Sequence, residues 1–154
     1  MANFSGLPSY SQVLYERMKS LPFLENFEPV ELCNLEYCEE RGAHIDPHFD
    51  DSWLWGERLV TLNLLSDSVL TFSCDSQPKV LVRVPLRRWS LISVSSSARH
   101  VWKHAVDSSH IRNKRLAMTF RELSEEFTDG GLRAEEGCAL LKLALSFQGC
   151  AIVS

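Results

Sequence analysis

Short runs of branched and aromatic residues dominate the middle of the chain, and turn residues separate them. The runs occupy residues 31–37, 58–66, 69–74, 79–86, 89–94 and 114–121. Several such runs in succession are typical of an antiparallel sandwich or a small barrel. We therefore predict that the centre of the protein is a mostly β domain.

A different pattern, with apolar residues at helical spacing, precedes this region at residues 9–24. The apolar stripe of the predicted helix consists of Tyr10, Val13, Leu14 and Met18. A serine, Ser9 or Ser11, can cap the start of this helix, and Pro22 ends it because proline interrupts helical hydrogen bonding.

Helical spacing returns at residues 132–147, followed by Gly149 as a stop signal. The residues that share one side of this second helix are Leu132, Cys138, Leu141 and Leu145. We therefore divide the chain into an N-terminal helical segment (1–30), a β core (31–128) and a C-terminal helix (129–154).

Composition excludes several classes of protein. Apolar residues make up 45% and charged residues 23% of the 154 residues, which excludes collagen-like, mucin-like and wholly disordered chains. No run approaches the roughly 18 apolar residues that a membrane span needs, and the N-terminus lacks the basic and apolar regions of a secretory signal. We expect an intracellular protein whose five cysteines are reduced and mostly buried.

Charge is distributed unevenly along the chain, although the net charge is only -4. Residues 31–57 hold eight acids and one base, whereas residues 79–115 hold nine bases and one acid. In one interpretation the second block forms a basic surface patch that binds nucleic acid. In the other, the two blocks partly neutralise each other.

Two His-x-Asp pairs follow one another in the chain, His44 with Asp46 and His48 with Asp50. Residues two apart in an extended segment point the same way, so the two side chains of a pair can bind one metal ion together. With a second histidine they form a 2-His-1-carboxylate site, which leaves positions open on Fe(II). The spacing alone is weak evidence, because a solvated acidic loop has the same pattern.

Polar and apolar residues alternate in residues 114–121, which predicts a strand with one apolar face. The other face carries Arg115 and Arg121, about 20 Å apart along the strand. A guanidinium group can bind a carboxylate through two parallel hydrogen bonds. The alternative is that this face lies in water.

Two further histidines, His100 and His104, flank Trp102. The apolar residues around them favour a strand, in which both imidazoles point the same way. Each of the two can equally be an ordinary surface histidine.

The combination of these features resembles the Fe(II)/2-oxoglutarate dioxygenases of the AlkB family. That family's pattern is H-x-D, a distant H and then R-x-x-x-x-x-R, which is met here by His48, Asp50, His104, Arg115 and Arg121. The segments WKHAV and RLAMTFR are similar to the family's W-x-H-x-V and R-x-x-x-T-F-R. The run IDPHFDD followed by WLWGERLV looks closer to one subfamily, AlkB homologue 4, and the resemblance covers residues 30–148.

The resemblance implies a double-stranded β-helix, a jelly-roll or cupin-like fold, with flanking helices. The implied iron ligands are His48, Asp50 and His104. Because Pro47 precedes His48 as in the subfamily, the rival pair His44 and Asp46 is set aside.

The resemblance also implies which residues bind 2-oxoglutarate. Arg115 would hold its C5 carboxylate, and Arg121 would approach its C1 carboxylate or brace Asp50. Asn34 and Tyr37 lie where the family has an N-x-Y pair, although the spacing here is N-x-x-Y. Ala117 replaces a common asparagine, so we expect one cosubstrate hydrogen bond to be absent.

The implied activity is that of an oxidoreductase that uses Fe(II), 2-oxoglutarate and O2. It would convert 2-oxoglutarate to succinate and CO2 and remove an N-methyl group as formaldehyde. For the subfamily, the implied substrate is methylated lysine on a protein such as actin. The acidic stretch that contains Trp53 and Trp55 suits a methylammonium cation, whereas core packing is the alternative for both tryptophans.

Two alternatives stay open for the function. The basic block supports a demethylase of N-methylated DNA or RNA bases. Only 47 residues precede His48, fewer than in nucleic-acid repair members with their N-terminal lid. We therefore expect a short isoform or a partial chain, and a catalytically impaired binding module is the second alternative. We expect the protein in the cytoplasm and nucleus, with no membrane partner.

Overall fold

The structure is a computed structural model that describes residues 4–150. The outermost parts of the two predicted end segments, residues 1–3 and 151–154, lie outside the described residues. The strands are β1 (Pro29–Cys38), β2 (Ile45–His48), β3 (Trp55–Leu64), β4 (Ser68–Ser73), β5 (Leu81–Leu86), β6 (Ser90–Val94), β7 (Lys103–Val106) and β8 (Lys114–Leu123). The α-helices are α1 (Gln12–Met18), α2 (Ser96–His100) and α3 (Ala134–Ala144).

The strands form two four-stranded sheets, with the orders β1-β8-β3-β6 and β2-β7-β4-β5. The pairs β2–β7, β3–β6, β4–β5 and β4–β7 are antiparallel. From β5 onward each successive strand belongs to the other sheet, which is the connectivity of a double-stranded β-helix. The predicted fold class, mostly β and jelly-roll or cupin-like with flanking helices, is confirmed.

Within the described residues the chain divides into two compact units. The helical unit comprises residues 4–32, 53–56 and 121–150, and the sheet unit comprises residues 33–52 and 57–120. The helical unit contains α1 and α3, whereas the sheet unit contains α2 and the whole of the second sheet. The segment boundaries at residues 30 and 128 stay a prediction.

The helical unit has a hydrophobic core built from Leu7, Val30, Leu123, Phe127 and Ala144. Leu140 and Leu141 of α3 and Leu145, directly after its end, pack against this core, together with aromatic residues of the same unit. Two members of the predicted stripe are wrong, because Leu132 is 96% exposed and Cys138 is also exposed. Leu132 precedes the first helical turn, and the buried face of α3 runs through Gly137 and Ala144 instead.

Helix α1 is present, and its predicted apolar stripe is correct at Met18 but wrong at Tyr10 and Val13, which are exposed. Its buried residues are Tyr15 and Met18, whereas Val13 is 70% exposed. The ring of Tyr15 lies 5.9 Å from that of Phe147, and this contact selects the stripe that contains Tyr15. No serine side chain caps the helix, which ends at Met18 before Pro22 is reached.

Two glycines near opposite ends of the described chain touch in the helical unit. Leu7 N–H donates to the Ala144 carbonyl at 3.0 Å, and Gly149 N–H donates to the Leu7 carbonyl at 3.1 Å. A Cβ atom on Gly149 would lie 1.7 Å from the Gly6 carbonyl oxygen. Gly149 is therefore required by this close approach, and the predicted helix stop is wrong because α3 already ends at Ala144.

All five cysteines are free, as predicted, but the expectation that most are buried is wrong. Cys74 is buried, Cys33 and Cys38 are half-buried, and Cys138 and Cys150 are exposed. No helix within residues 4–150 is long and apolar enough to span a bilayer.

Candidate active site

The register between β2 and β7 brings two histidines together. His48 lies directly opposite His104 in this antiparallel pair, and their ring centroids are 4.3 Å apart. Asp50 follows two residues after the end of β2, with its Oδ2 3.8 Å from His104 Nε2. One possible ligand atom from each of the three residues lies within 4.8 Å of the others, close enough to surround a single ion.

The orientation of His48 suits a metal ligand. Its Nδ1 lies 2.8 Å from the Asp46 carbonyl oxygen, so this nitrogen carries the proton and donates it. The lone pair on Nε2 is then available, which is the usual arrangement of a metal-binding histidine. The side chains of His104 and Asp50 are 15% and 12% exposed, so their environment is largely shielded from water.

The rival His-x-Asp pair lies in solvent. His44 Nε2 is 3.7 Å from Asp46 Oδ1, and the two side chains are 54% and 88% exposed. Ile45 pairs with Val106 and His48 pairs with His104, so β2 has one more residue than β7 between the two pairs, as in a β-bulge. Because such a bulge breaks strict alternation, Asp46 and His48 point differently although they are two residues apart.

Arg115 is the most deeply buried charged residue of β8, with 2% of its surface exposed. Its Nε donates to Asn63 Oδ1 at 2.7 Å, and its guanidinium lies 4.8 Å from the ring centre of Tyr37. Burial lowers the pKa of Arg115 below its usual value, but a guanidinium stays charged in proteins. The alternative, that the face of β8 with Arg115 and Arg121 lies in water, is therefore wrong.

One buried atom of this guanidinium has no protein partner. Nη1 of Arg115 makes no hydrogen bond within the described part of the chain. A buried cation without a carboxylate is costly unless an anion binds to it. The geometry therefore suits a ligand carboxylate at Arg115.

Asn63 fixes the position of Arg115, and sequence reasoning missed it. It is fully buried, and its amide nitrogen lies 2.9–3.2 Å from the carbonyl oxygens of Ser66, Leu86 and Arg87. Its amide oxygen is thereby turned toward Arg115. The signal in the sequence is a single amide within the apolar run at 58–66.

The two predicted cosubstrate residues of β1 have different environments. Tyr37 is buried, and burial raises the pKa of its phenol above the usual value, although the charge of Arg115 opposes this. The phenol is therefore protonated at neutral pH. Asn34 is exposed and lies three residues away, so it belongs to the opposite face of the strand. Its role stays a prediction.

A second buried arginine contacts the loop that carries Asp50. Arg99 is 1% exposed, and its two terminal nitrogens donate to the carbonyl oxygens of Asp50 and Asp51 at 3.0 and 2.9 Å. Nothing in the local sequence of Arg99 indicates this contact.

The helix that carries Arg99 is held at both ends by one carboxylate. Glu57 accepts hydrogen bonds from the backbone N–H and hydroxyl of Ser96 and lies 2.9 Å from His100 Nε2. Burial raises the pKa of Glu57, but the bonds from His100 and Ser96 together hold it below its usual value. His100 is the last residue of α2, so the expectation that it shares a strand with His104 is wrong.

No family model matches the chain. The chain is 47% identical to the human alpha-ketoglutarate-dependent dioxygenase alkB homolog 4, over 95% of this chain and 58% of that protein. The mouse protein of the same name is 44% identical over 97% of this chain and 59% of its own length. This chain belongs to the AlkB family.

A third relative carries a different name. The DNA N6-methyl adenine demethylase of Caenorhabditis elegans is 39% identical over 91% of this chain and 49% of that protein. The chain therefore spans about half to three fifths of the length of these relatives.

Arg121, the second arginine of the AlkB pattern, lies in the helical unit. Its Nη1 donates to Glu31 Oε2 at 2.6 Å, and its side chain is 13% exposed. The guanidinium also lies 5.9 Å from the ring centre of Trp55. That Arg121 approaches the C1 carboxylate of 2-oxoglutarate or braces Asp50 stays a prediction.

The two tryptophans differ in burial. Trp55 packs against the hydrophobic core of the helical unit, as the core alternative expects. Trp53 is 52% exposed. Its ring lies edge-on to that of Phe127, with 5.4 Å between the ring centroids, and the guanidinium of Arg133 lies 5.1 Å from the Trp53 ring centre. Each indole therefore already has an arginine of the same unit near its ring.

The basic block does not form a uniformly cationic surface. Arg99 and Arg115 are buried within the sheet unit. Four further cations lie within 3.6 Å of an acid, in the pairs Arg87–Asp67, Lys103–Asp75, Arg112–Glu39 and Lys114–Glu36. Two of these acids belong to the acidic block, which favours partial neutralisation between the two blocks.

Proposed function

We propose that this chain is an Fe(II)- and 2-oxoglutarate-dependent dioxygenase that removes N-methyl groups from methylated lysine on a protein. The observation that carries the proposal is the convergence of His48, Asp50 and His104 on one point. The names of its AlkB homologue 4 relatives support the reaction class.

The donor set fits ferrous iron. Two imidazoles and one carboxylate are the ligands of non-haem Fe(II) oxygenases, and three protein ligands leave positions for cosubstrate and oxygen. The bond from His48 Nδ1 to the Asp46 carbonyl fixes which nitrogen faces the metal. When bound, the iron would supply oxygen activation coupled to the oxidative decarboxylation of 2-oxoglutarate.

Arg115 would bind the C5 carboxylate of 2-oxoglutarate. Its buried charge and its Nη1, which has no hydrogen-bond partner among residues 4–150, favour a carboxylate ligand. Asn63 and the ring of Tyr37 hold the guanidinium in place before the ligand arrives. Such preorganisation lowers the ordering cost of binding.

Two observations support a protein substrate. Arg87, Lys103, Arg112 and Lys114 are paired with acids, so part of the cationic charge that could attract phosphates is already balanced. The net charge of the chain is -4. The resemblance to AlkB homologue 4 makes actin the first candidate, and we keep the cytoplasm and nucleus as the proposed locations.

A nucleic-acid substrate is the second candidate. The Caenorhabditis elegans relative is named a DNA N6-methyl adenine demethylase, and it matches 91% of this chain. In that case an N-methylated base would occupy the position of the methylated amine.

Succinate and formaldehyde release by the purified full chain tests the proposal. Fe(II), 2-oxoglutarate and O2 are supplied with either a methyl-lysine peptide of actin or an N6-methyladenine oligonucleotide. We expect iron-dependent turnover with the peptide. Turnover of the oligonucleotide alone would overturn the substrate class, and no iron-dependent succinate with either substrate would overturn the dioxygenase.

A further inference from the structure

Arg99 makes contacts to the main chain that the proposed reaction does not yet explain. It lies in α2 of the sheet unit and is 1% exposed. Its Nη1 donates to the Asp50 carbonyl at 3.0 Å, and its Nη2 donates to the Asp51 carbonyl at 2.9 Å. The two terminal nitrogens thus bind two successive peptide groups, one of which belongs to a residue of the triad.

The segment that receives these bonds needs an external donor. Asp50 and Asp51 lie beyond the end of β2, where the sheet ladder no longer orders the backbone. Buried or half-buried carbonyl groups outside regular structure require other hydrogen-bond donors. A planar guanidinium holds its N–H donors in a rigid fork that can serve two carbonyls at once, whereas the three N–H donors of an ammonium group rotate about a single nitrogen.

The position of Arg99 is itself fixed. Glu57 bonds to Ser96 at the start of α2 and to His100 at its end. A helix of five residues is too short to be stable alone, so these contacts and the burial of Arg99 define where it lies. The two carbonyls are therefore bound by a group that is held before any metal arrives.

We infer that Arg99 is a positioning residue, which holds the peptide groups of Asp50 and Asp51 so that the Asp50 carboxylate is directed at the metal. The inference rests on the proposed metal centre. Residues that orient metal ligands typically contribute about 10- to 100-fold to metal affinity. Without Arg99, the Asp50 loop would sample other orientations, and the three ligand atoms would converge for a smaller fraction of the time.

Cobalt binding by the full chain without added iron tests this role. Co(II) gives a visible absorption on binding to nitrogen and oxygen ligands, and titration gives its dissociation constant. We expect Arg99→Met to weaken binding by about 10- to 100-fold. Arg99→Lys should recover part of this loss because it keeps the charge and N–H donors, although on one nitrogen instead of a rigid fork. Hydrogen exchange at residues 49–52 should rise in both variants.

A stability-matched control separates positioning from general destabilisation. Val94→Ala removes buried side-chain volume from β6 of the same unit and leaves the side chains of Arg99 and the triad unchanged. We expect it to lower Tm but to leave the Co(II) dissociation constant unchanged. Arg99 variants should weaken binding even when compared at equal folded fraction.

The possible outcomes distinguish this inference from the proposed function. Parental affinity in folded Arg99→Lys and Arg99→Met would overturn the role of Arg99 alone. Equal weakening in Val94→Ala would also overturn it, because the effect would then be one of stability. A parental chain that binds no Co(II), or binds it equally after His48→Ala, would overturn the metal centre and this inference together.

Discussion

Two His-x-Asp pairs of identical spacing lie four residues apart, and they have different environments. His44 and Asp46 are mostly in solvent, and their side chains meet at 3.7 Å without a third metal-binding neighbour being found among the described residues. His48 and Asp50 meet His104 from β7, and the backbone carbonyl of Asp46 orients the first imidazole. The difference arises from the irregular register of β2 and from the strand opposite.

The same contrast holds among the arginines of the sheet unit. Arg87 is exposed and lies 3.3 Å from an exposed Asp67, whereas Arg115 is buried against Asn63 and Tyr37. An exposed pair of this kind contributes little, since water and salt screen it. Residue type is the same within each comparison, so burial and a fixed neighbour distinguish a candidate functional group from a solvated one.

The most severe test of the comparison between the pairs is removal of each side chain. His48→Ala, Asp50→Ala or His104→Ala should abolish Fe(II)-dependent succinate formation and Co(II) binding, because two remaining ligands hold a divalent ion poorly. His44→Ala and Asp46→Ala should change neither quantity. If the variants of the exposed pair were the inactive ones, our choice of pair would be wrong.

The next largest effect concerns the buried and exposed arginines. Arg115→Lys keeps the charge but loses the planar fork, so it should raise the KM for 2-oxoglutarate. Loss of one charge-assisted hydrogen bond costs about 1.5–3 kcal/mol, which corresponds to roughly 10- to 150-fold. Arg87→Lys is the matched control and should leave KM unchanged. An unchanged KM for Arg115→Lys would falsify its assignment to the C5 carboxylate.

Some elements of the fold and of the candidate site were predictable from the sequence, and others were not. The six runs of the β core were predictable because each carries its own periodicity and turn residues, and the proposed iron ligands followed from the resemblance to a family pattern of several motifs. The face of α1 was not predictable, because Val13 and Tyr15 offer two stripes and the contact of Tyr15 with Phe147 selects one.

Asn63 and Arg99 show a second limit of the sequence. Asn63 binds the Leu86 carbonyl 23 residues away, and Arg99 binds the Asp50 carbonyl 49 residues away. The apolar run around Asn63 indicates burial but not the partners of its amide, and no local pattern around Arg99 indicates burial. Polar groups that act through distant peptide carbonyls become visible only when the fold has brought the two segments together.

A smaller effect is expected at the half-exposed Glu57, whose carboxylate stabilises α2. Glu57→Gln should destabilise α2 by about 1 kcal/mol at pH 7, the usual loss for a helix-capping contact. Because the folded pKa of Glu57 is lowered, its contribution is present above the unfolded pKa of about 4.3 and is lost as pH falls through the folded value. The difference in Tm from the parental chain should therefore shrink in acid.

The control for this measurement is Asp46→Asn, since Asp46 is an acid whose side chain is 88% exposed. We expect it to leave Tm close to the parental value at pH 7. A Tm difference for Glu57→Gln that stays constant down to pH 3 would argue against a charged Glu57 as the group that holds α2.

The smallest effect is expected at the exposed arginines. Charge reversal at Arg87 and Arg88 should leave demethylation of a methyl-lysine peptide nearly unchanged, because neither residue touches the triad or Arg115. Nucleic-acid binding through the basic block would instead weaken steeply with salt, with a log–log slope of about -0.7 to -0.9 for each phosphate neutralised. A steep slope that disappears on charge reversal would favour the nucleic-acid substrate.

The contact between Gly6 and Gly149 bears on how sequence variants of this protein should be interpreted. Because a Cβ on Gly149 would overlap the Gly6 carbonyl, every substitution at this position forces the two backbone segments apart. In a selection for activity, Gly149 would therefore be as intolerant as an iron ligand, although it carries no chemical group. Abundance measured alongside activity would separate the two, since a Gly149 variant should be depleted from the cell whereas a His48 variant should accumulate normally.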